Sequence, residues 1–184
     1  MSEDGTVERP ARSAMVVQLV ELAPAVLHSL AAGDLRAANR AASITLTPAF
    51  VAPEWRSTWV RRSRQVVADP TATGWITRAI YDPGLRLPVG RAGYHGPPDG
   101  VGMVEVGYAV DPAYRRQGYA RAALVALLER ARREPSVRTV RATISPGNEP
   151  SRRLVSQYGF VEVGEQWDDE DGLETIFEVS AGAP

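Results

Sequence analysis

The chain predicts an α/β (α+β) fold, a mixed and mostly antiparallel sheet with helices on both faces. Three observations predict it. Strand-like and helix-like segments interleave from Met15 to Val179, so neither class dominates. Three strand-like segments between Gly74 and Val110 are joined by Asp82-Pro83-Gly84 and Gly96-Pro97-Pro98-Asp99-Gly100, connections short enough for an antiparallel meander. A long amphipathic helix follows, with Ala120, Ala123, Leu124, Leu127, Leu128 and Ala131 in one apolar stripe.

In chain order, residues 1–13 are polar, contain Gly5 and Pro10, and are expected to form a loose tail before a single domain over 14–180. Met15 to Leu22 carries a β-branched, partly alternating run and reads as the first strand. Pro24 opens a helix that Gly33 stops. Asp34 caps a second helix, Leu35 to Ala42, and Pro53 and Glu54 open a longer one through Trp59 to about Val67. Trp75, Ile76, Ala79, Ile80 and Tyr81 suggest the next strand, followed by Val89 to His95 and Met103 to Val110. The amphipathic helix ends in Arg130, Arg132 and Arg133, which suits its dipole. Val137 to Ile144 is then a strand, and Asn148 to Tyr158 a short helix ended by Gly159. Val161 to Gln166 and Leu173 to Val179 are strands around the turn Asp168 to Gly172.

Composition limits the function. The 184 residues suit one core. No apolar run approaches the ~20 residues of a membrane helix, and no leader with a basic flank and cleavage site is evident. A soluble cytoplasmic protein without a membrane partner is therefore expected. A net charge of −1 argues against a general nucleic-acid binder. The absence of Cys removes disulfides, thiolate metal sites and a cysteine acyl-enzyme, and with only His28 and His95 no metal site is expected.

The segment Tyr108 to Ala120, YAVDPAYRRQGYA, concentrates the chemistry. A strand ends at Asp111-Pro112, a short loop with two Arg and Gly118 follows, and a helix begins. Gly118 lets backbone approach a ligand, the helix start offers free N–H groups, and Arg115 and Arg116 add positive charge. The arrangement suits a pyrophosphate, although a solvated loop capping a core helix would have the same spacing. Walker and dinucleotide fingerprints are both absent.

Arg115-x-x-Gly118-x-Ala120 after a strand resembles the central signature R/Q-x-x-G-x-G/A of the GNAT superfamily of N-acetyltransferases. Asn148-Glu149-Pro150-Ser151, before a helix that ends in Gly159-Phe160, resembles a second block of that family. The wording EVGYAVDPAYRRQGYA is similar to the ribosomal-protein acetyltransferase-like (RimJ/RimL-like) branch. The resemblance implies the GNAT fold, in which the strand with Glu105 to Val110 and the strand Val137 to Ile144 splay apart at one end. It implies acetyl-CoA as cosubstrate, its pantetheine arm in that gap beside the backbone of Ala109 and Val110 and touching Asn148. The main chain of Arg115, Arg116, Gln117, Gly118, Tyr119 and Ala120 would hold the pyrophosphate, and an N–H near Val110 would polarise the thioester carbonyl.

The implied acceptor is a primary amine, on a protein N-terminus or a small molecule. Such an amine, with a pKa of ~10, must lose a proton before it attacks. Glu105 is the candidate base: alternation puts Glu105, Gly107 and Ala109 on one face and Val104, Val106 and Tyr108 on the other. A Glu on a central strand suits a wet cleft, but it would also be accommodated facing solvent or paired with an Arg. Many family members place a Tyr acid seven residues after the Asn, where this chain has Val155. Ser151 is the candidate general acid, or else a local cap, while Tyr158 reads as core packing. His95 is a turn residue that could also orient or deprotonate the acceptor. The acidic run Trp167 to Gly172 is a solvated turn or an attractant for cations, and Arg130, Arg132, Arg133 and Arg138 a solvated helix end or a contact for the ribose phosphate. The alternative to an enzyme is a non-catalytic acyl-CoA-binding sensor of the same fold, which the missing Tyr admits. Oligomeric state is not legible, and a homodimer is compatible with everything above.

Overall fold

The computed structural model describes residues 15–169 and 172–182. The expected tail 1–13, and Glu170 and Asp171 of the last turn, lie outside the described residues.

The first strand, β1 (Gln18–Val20), is shorter than its β-branched run suggests, because Leu22 is buried against helices instead of continuing the ladder. Helix α1 (Pro24–Ala32) starts on its proline and stops at Gly33, whose φ of 77° turns its N–H back to the Leu30 carbonyl. The Asp34 carboxylate caps α2 (Leu35–Ala41), accepting from the Ala37 N–H at 2.8 Å. Helix α3 (Pro53–Ala68) turns Trp55 and Trp59 inward onto Phe50, and the Trp59 indole donates to the Phe50 carbonyl at 2.7 Å. These tryptophans are core, not an exposed stacking platform.

Trp75 and Ile76 do not belong to the next strand. A 3₁₀ turn, Pro70–Gly74, ends there, and both amides donate to the Ala72 carbonyl, which withdraws them from any ladder. Strand β2 (Arg78–Asp82) begins beyond them, followed by β3 (Leu87–Tyr94), β4 (Met103–Val110), α4 (Tyr119–Arg133), β5 (Thr139–Ile144), α5 (Glu149–Ser156), β6 (Val161–Asp168) and β7 (Gly172–Ser180).

Among the described residues seven strands form one sheet, in the order β1-β2-β3-β4-β5-β7-β6. Every pairing is antiparallel except β4 with β5, which α4 connects as a crossover. Adjacent residues of β2 enter different cores: Ala79 joins the α1–α3 cluster with Phe50 and Trp59, and Ile80 joins the α4 cluster with Leu124 and Leu127. Side chains alternate across a strand, so the helices cover both faces of the sheet.

Candidate active site

The parallel pairing of β4 with β5 is also incomplete. Strands β4 and β5 align as Met103↔Thr139, Val104↔Val140 and Glu105↔Arg141, and then part. Beyond that point β4 stays with β3 as far as Gly90↔Val110, and β5 stays with β7 as far as Ile144↔Thr175. A cleft of about 250 Å³ opens between the diverging strands, bordered by Gly107, Tyr108 and Thr143, with Ser151 on one side and Arg61 and Arg62 on the other. Ala109 and Val110 form the end of β4 beside this gap, and the Val110 carbonyl already accepts from Arg115 Nε at 3.1 Å.

Past Val110 the Asp111 carboxylate accepts from the Ala113 N–H, fixing a 3₁₀ turn, Pro112–Tyr114. Arg116 and Gly118 then take positive φ, 64° and 98°. Such alternation of backbone handedness gathers N–H groups into an anion-binding concavity. Among the described residues no side chain caps α4 at Gly118, which leaves the first-turn amides to a ligand or water. The side chains of Arg115, Arg116 and Gln117 stand at the surface, and Ala120 is half-buried. The Tyr119 side chain is buried and donates to Asp82 Oδ2 at 2.5 Å, so Tyr119 can serve this loop only through its main chain. Burial, followed by that hydrogen bond, pushes the Tyr119 pKa up to about 12. An uncapped helix start led in by two left-handed residues, Arg116 and Gly118, fits a pyrophosphate.

Glu105 sits where the two strands part. Its Oε1 accepts from Thr143 Oγ1 at 2.6 Å and lies 3.2 Å from His95 Nδ1. Burial works against ionisation of this carboxyl, but the hydrogen bond and charge of His95, the Thr143 hydroxyl and the Arg141 charge outweigh it and hold the pKa below the usual Glu value. His95 lies just past β3, and its carbonyl accepts from Arg62 Nη1 at 3.0 Å and Gln65 Nε2 at 2.8 Å, which fixes its main chain to α3. Its ring lies over Gly107, where a Cβ would come within 2.8 Å of Nε2. Arg62 is buried and also bonded to Thr77. Burial and then the charges of Arg61 and Arg91 lower its pKa to about 10, only partly offset by Glu105.

The second sequence block reaches the other side of the cleft. Asn148 is the N-cap of α5, and its carboxamide oxygen accepts from the Ser151 N–H at 3.3 Å. The cap is therefore Asn148, not the Ser151 hydroxyl. Ser151 lies at the cleft beside Tyr108, while Val155 is fully buried. At the far end of α4, Arg130 donates to the Gly74 carbonyl at 2.7 Å and stacks on Trp75. It stands at the end of a 15-residue helix opposite the uncapped turn, which takes it away from any ligand there. Thr143, Arg62 and the cleft position of Tyr108 have no signature in the sequence. They appear once β4 and β5 are aligned.

A split mixed sheet with an uncapped crossover helix beside the split defines the GNAT class of fold. The chain belongs to the acetyltransferase (GNAT) domain family, whose profile matches residues 23–161. It is 33% identical over 73 residues to YjdG of Bacillus subtilis, an uncharacterized N-acetyltransferase, covering 40% of this chain and 44% of that protein. The match thus spans less than half of that relative's length. Among solved structures, a ribosomal-protein alanine acetyltransferase from Vibrio fischeri superposes with a TM-score of 0.59 and 19% identity, over 90% of this chain and 92% of the other. A ribosomal α-N-protein acetyltransferase in complex with coenzyme A gives 0.63 and 13%, over 91% and 95%. A spermidine N-acetyltransferase chimera built from a Vibrio cholerae enzyme gives 0.63 and 13%, over 90% and 95%. At these identities the superpositions establish the shared fold.

Proposed function

We propose that the chain is an acetyl-CoA-dependent N-acetyltransferase that passes the acetyl group directly to a primary amine. The observation that carries this reading is the Glu105–His95 pair at the point where the sheet splits, at the inner end of a gap whose outer end is the uncapped start of α4. A ligand with an anionic group on the α4 amides and a slender arm along β4 would bring its reactive end to that pair.

The chain's own groups then divide the work. Main-chain N–H groups from Arg115 to Ala120 bind the pyrophosphate, and the backbone of Ala109 and Val110, with Asn148, borders the arm. Acetyl-CoA is a cosubstrate here and supplies the activated acyl group. His95 Nε2 takes the proton from the attacking amine. Glu105 holds the imidazole through Nδ1 and offsets its charge. A carboxyl held below its usual range is a weak base, which favours this division over Glu105 acting alone. A protein α-amino group and spermidine are both acceptors named for structural neighbours, and both present the required primary amine.

The test is release of free coenzyme A thiol from acetyl-CoA by the purified protein, across a panel of peptides and small amines, with mass spectrometry of the products. Turnover with an N-acetylated product is expected. Tight binding of acetyl-CoA without turnover on any amine would support the non-catalytic sensor instead.

A further inference from the structure

The Tyr108 hydroxyl is buried and has no hydrogen-bond partner among the described residues, yet Tyr108 lines the cleft. A buried donor without an acceptor is costly, and such a group persists where a ligand completes it. Its polar neighbour is Ser151, in the first turn of α5. Burial raises the phenol's pKa, which Ser151 opposes, so the hydroxyl keeps its proton at neutral pH and is a donor.

The position of this donor is informative. Glu105 and Gly107 turn toward His95, and Tyr108, next along the strand, turns to the α5 side. The two sides of β4 thus carry a proton acceptor and a proton-bearing hydroxyl, facing one gap. Acyl transfer from a thioester to an amine needs both, since charge leaves nitrogen at one end of the reacting group and accumulates on sulfur at the other. The α5 side chain that faces inward one turn beyond Ser151 is Val155, which has no polar atom.

Resting on the N-acetyltransferase reading above, we propose that Tyr108 is a catalytic residue whose hydroxyl donates a hydrogen bond to the thioester sulfur as the C–S bond breaks, with Ser151 as the polar neighbour of the phenol. The amine lone pair forms the C–N bond, the C–S bond breaks, and its electron pair stays on sulfur. The nitrogen's proton passes to His95, and sulfur ends as a thiol with one proton drawn from solvent, which His95 replaces. A phenol is a weaker acid than an alkyl thiol, so Tyr108 stabilises the thiolate without surrendering its proton to it.

The experiment compares wild type with Tyr108→Phe and Ser151→Ala. Tyr108→Phe is expected to lower kcat with acetyl-CoA on the order of 10²-fold, the usual loss for one charge-stabilising donor. Affinity for acetyl-CoA and thermal stability should not fall, because only an unpaired hydroxyl is removed. The defect should shrink toward none when 4-nitrophenyl thioacetate replaces acetyl-CoA, since its leaving thiolate needs no help. Ser151→Ala should show a smaller loss with the same dependence on the leaving group. Wild-type kcat in Tyr108→Phe, or an equal loss with both donors, overturns the assignment of Tyr108 alone. No turnover by wild type on any amine overturns the N-acetyltransferase reading and this inference with it.

Discussion

Gly107 is the smallest part of the site and among the most constrained. An added Cβ would meet His95 Nε2 at 2.8 Å, and the ring cannot easily retreat. Its carbonyl is held by Arg62 and Gln65, and Nδ1 by Glu105. Ala is the better strand residue by ~0.5–1 kcal/mol on backbone entropy, but forcing a held ring aside costs ~1–3 kcal/mol, so Gly107→Ala should be destabilised on balance. It should also lower kcat by roughly 10²-fold, the low end of what a positioned base contributes. Urea denaturation and steady-state kinetics together check this pair of losses.

Glu105→Gln separates charge from shape at the same site. The folded-state carboxyl is held below its usual value, so its ionised form adds stability above the ordinary Glu range. That contribution is lost as pH falls through the lowered folded value. The gap in melting temperature between wild type and Glu105→Gln should therefore be present at pH 7 and close in acid. A gap that is constant from pH 7 to the acid limit would count against the ionised pairing with His95 and Thr143.

At the scale of elements, the loop into α4 is where sequence and structure agree most closely. Pro112, Gly118 and the apolar stripe are local signals, and each marks a local event: a turn, a left-handed residue, a helix start. The Cβ of an alanine at 118 would have room, with Met15 Sδ nearest at 3.9 Å, so the cost of Gly118→Ala lies in the backbone at φ 98°. That cost is ~1–3 kcal/mol, or the loop relaxes and its amides turn away. At least tenfold weaker acetyl-CoA binding is expected by calorimetry. Tyr119→Phe tests the same junction from inside. It removes the bond to Asp82 that ties the β2–β3 hairpin to α4, and it should destabilise by about 1 kcal/mol. With the Tyr119 pKa raised to about 12, the wild-type advantage should persist below pH ~10 and vanish as pH rises toward 12. The split between β4 and β5 was legible only through family resemblance, because parallel register depends on strands separated by a whole helix. For the same reason Thr143 could not be matched to Glu105 from spacing. Trp75 and Ile76 misled in the other direction: their strand-like composition serves a buried 3₁₀ exit.

At the scale of the molecule, the split divides one sheet into two halves, β1–β4 and β5–β7, joined by three residue pairs along β4 and β5. The last residues of each inner strand are paired on their outer edge and face the gap on the other, so the gap-side backbone groups, apart from the Val110 carbonyl that Arg115 fills, depend on water or a ligand. A ligand arm lying in the gap would act as the missing strand and couple the halves. Binding to the native state alone stabilises by ~2.7 kcal/mol at a hundredfold excess over Kd. For a chain of this size that corresponds to a rise in Tm of about 5–10 °C. Global stabilisation alone would not locate the ligand, because any tight site gives it. Hydrogen exchange does: slowing should concentrate in the gap-facing amides of Val106–Val110 and Ala142–Ile144 and in the first turn of α4, with α1–α3 changed far less. A rise in Tm with exchange unaltered along both inner strands would mean that the thioester coenzyme binds elsewhere, and the catalytic role proposed for the gap would fall.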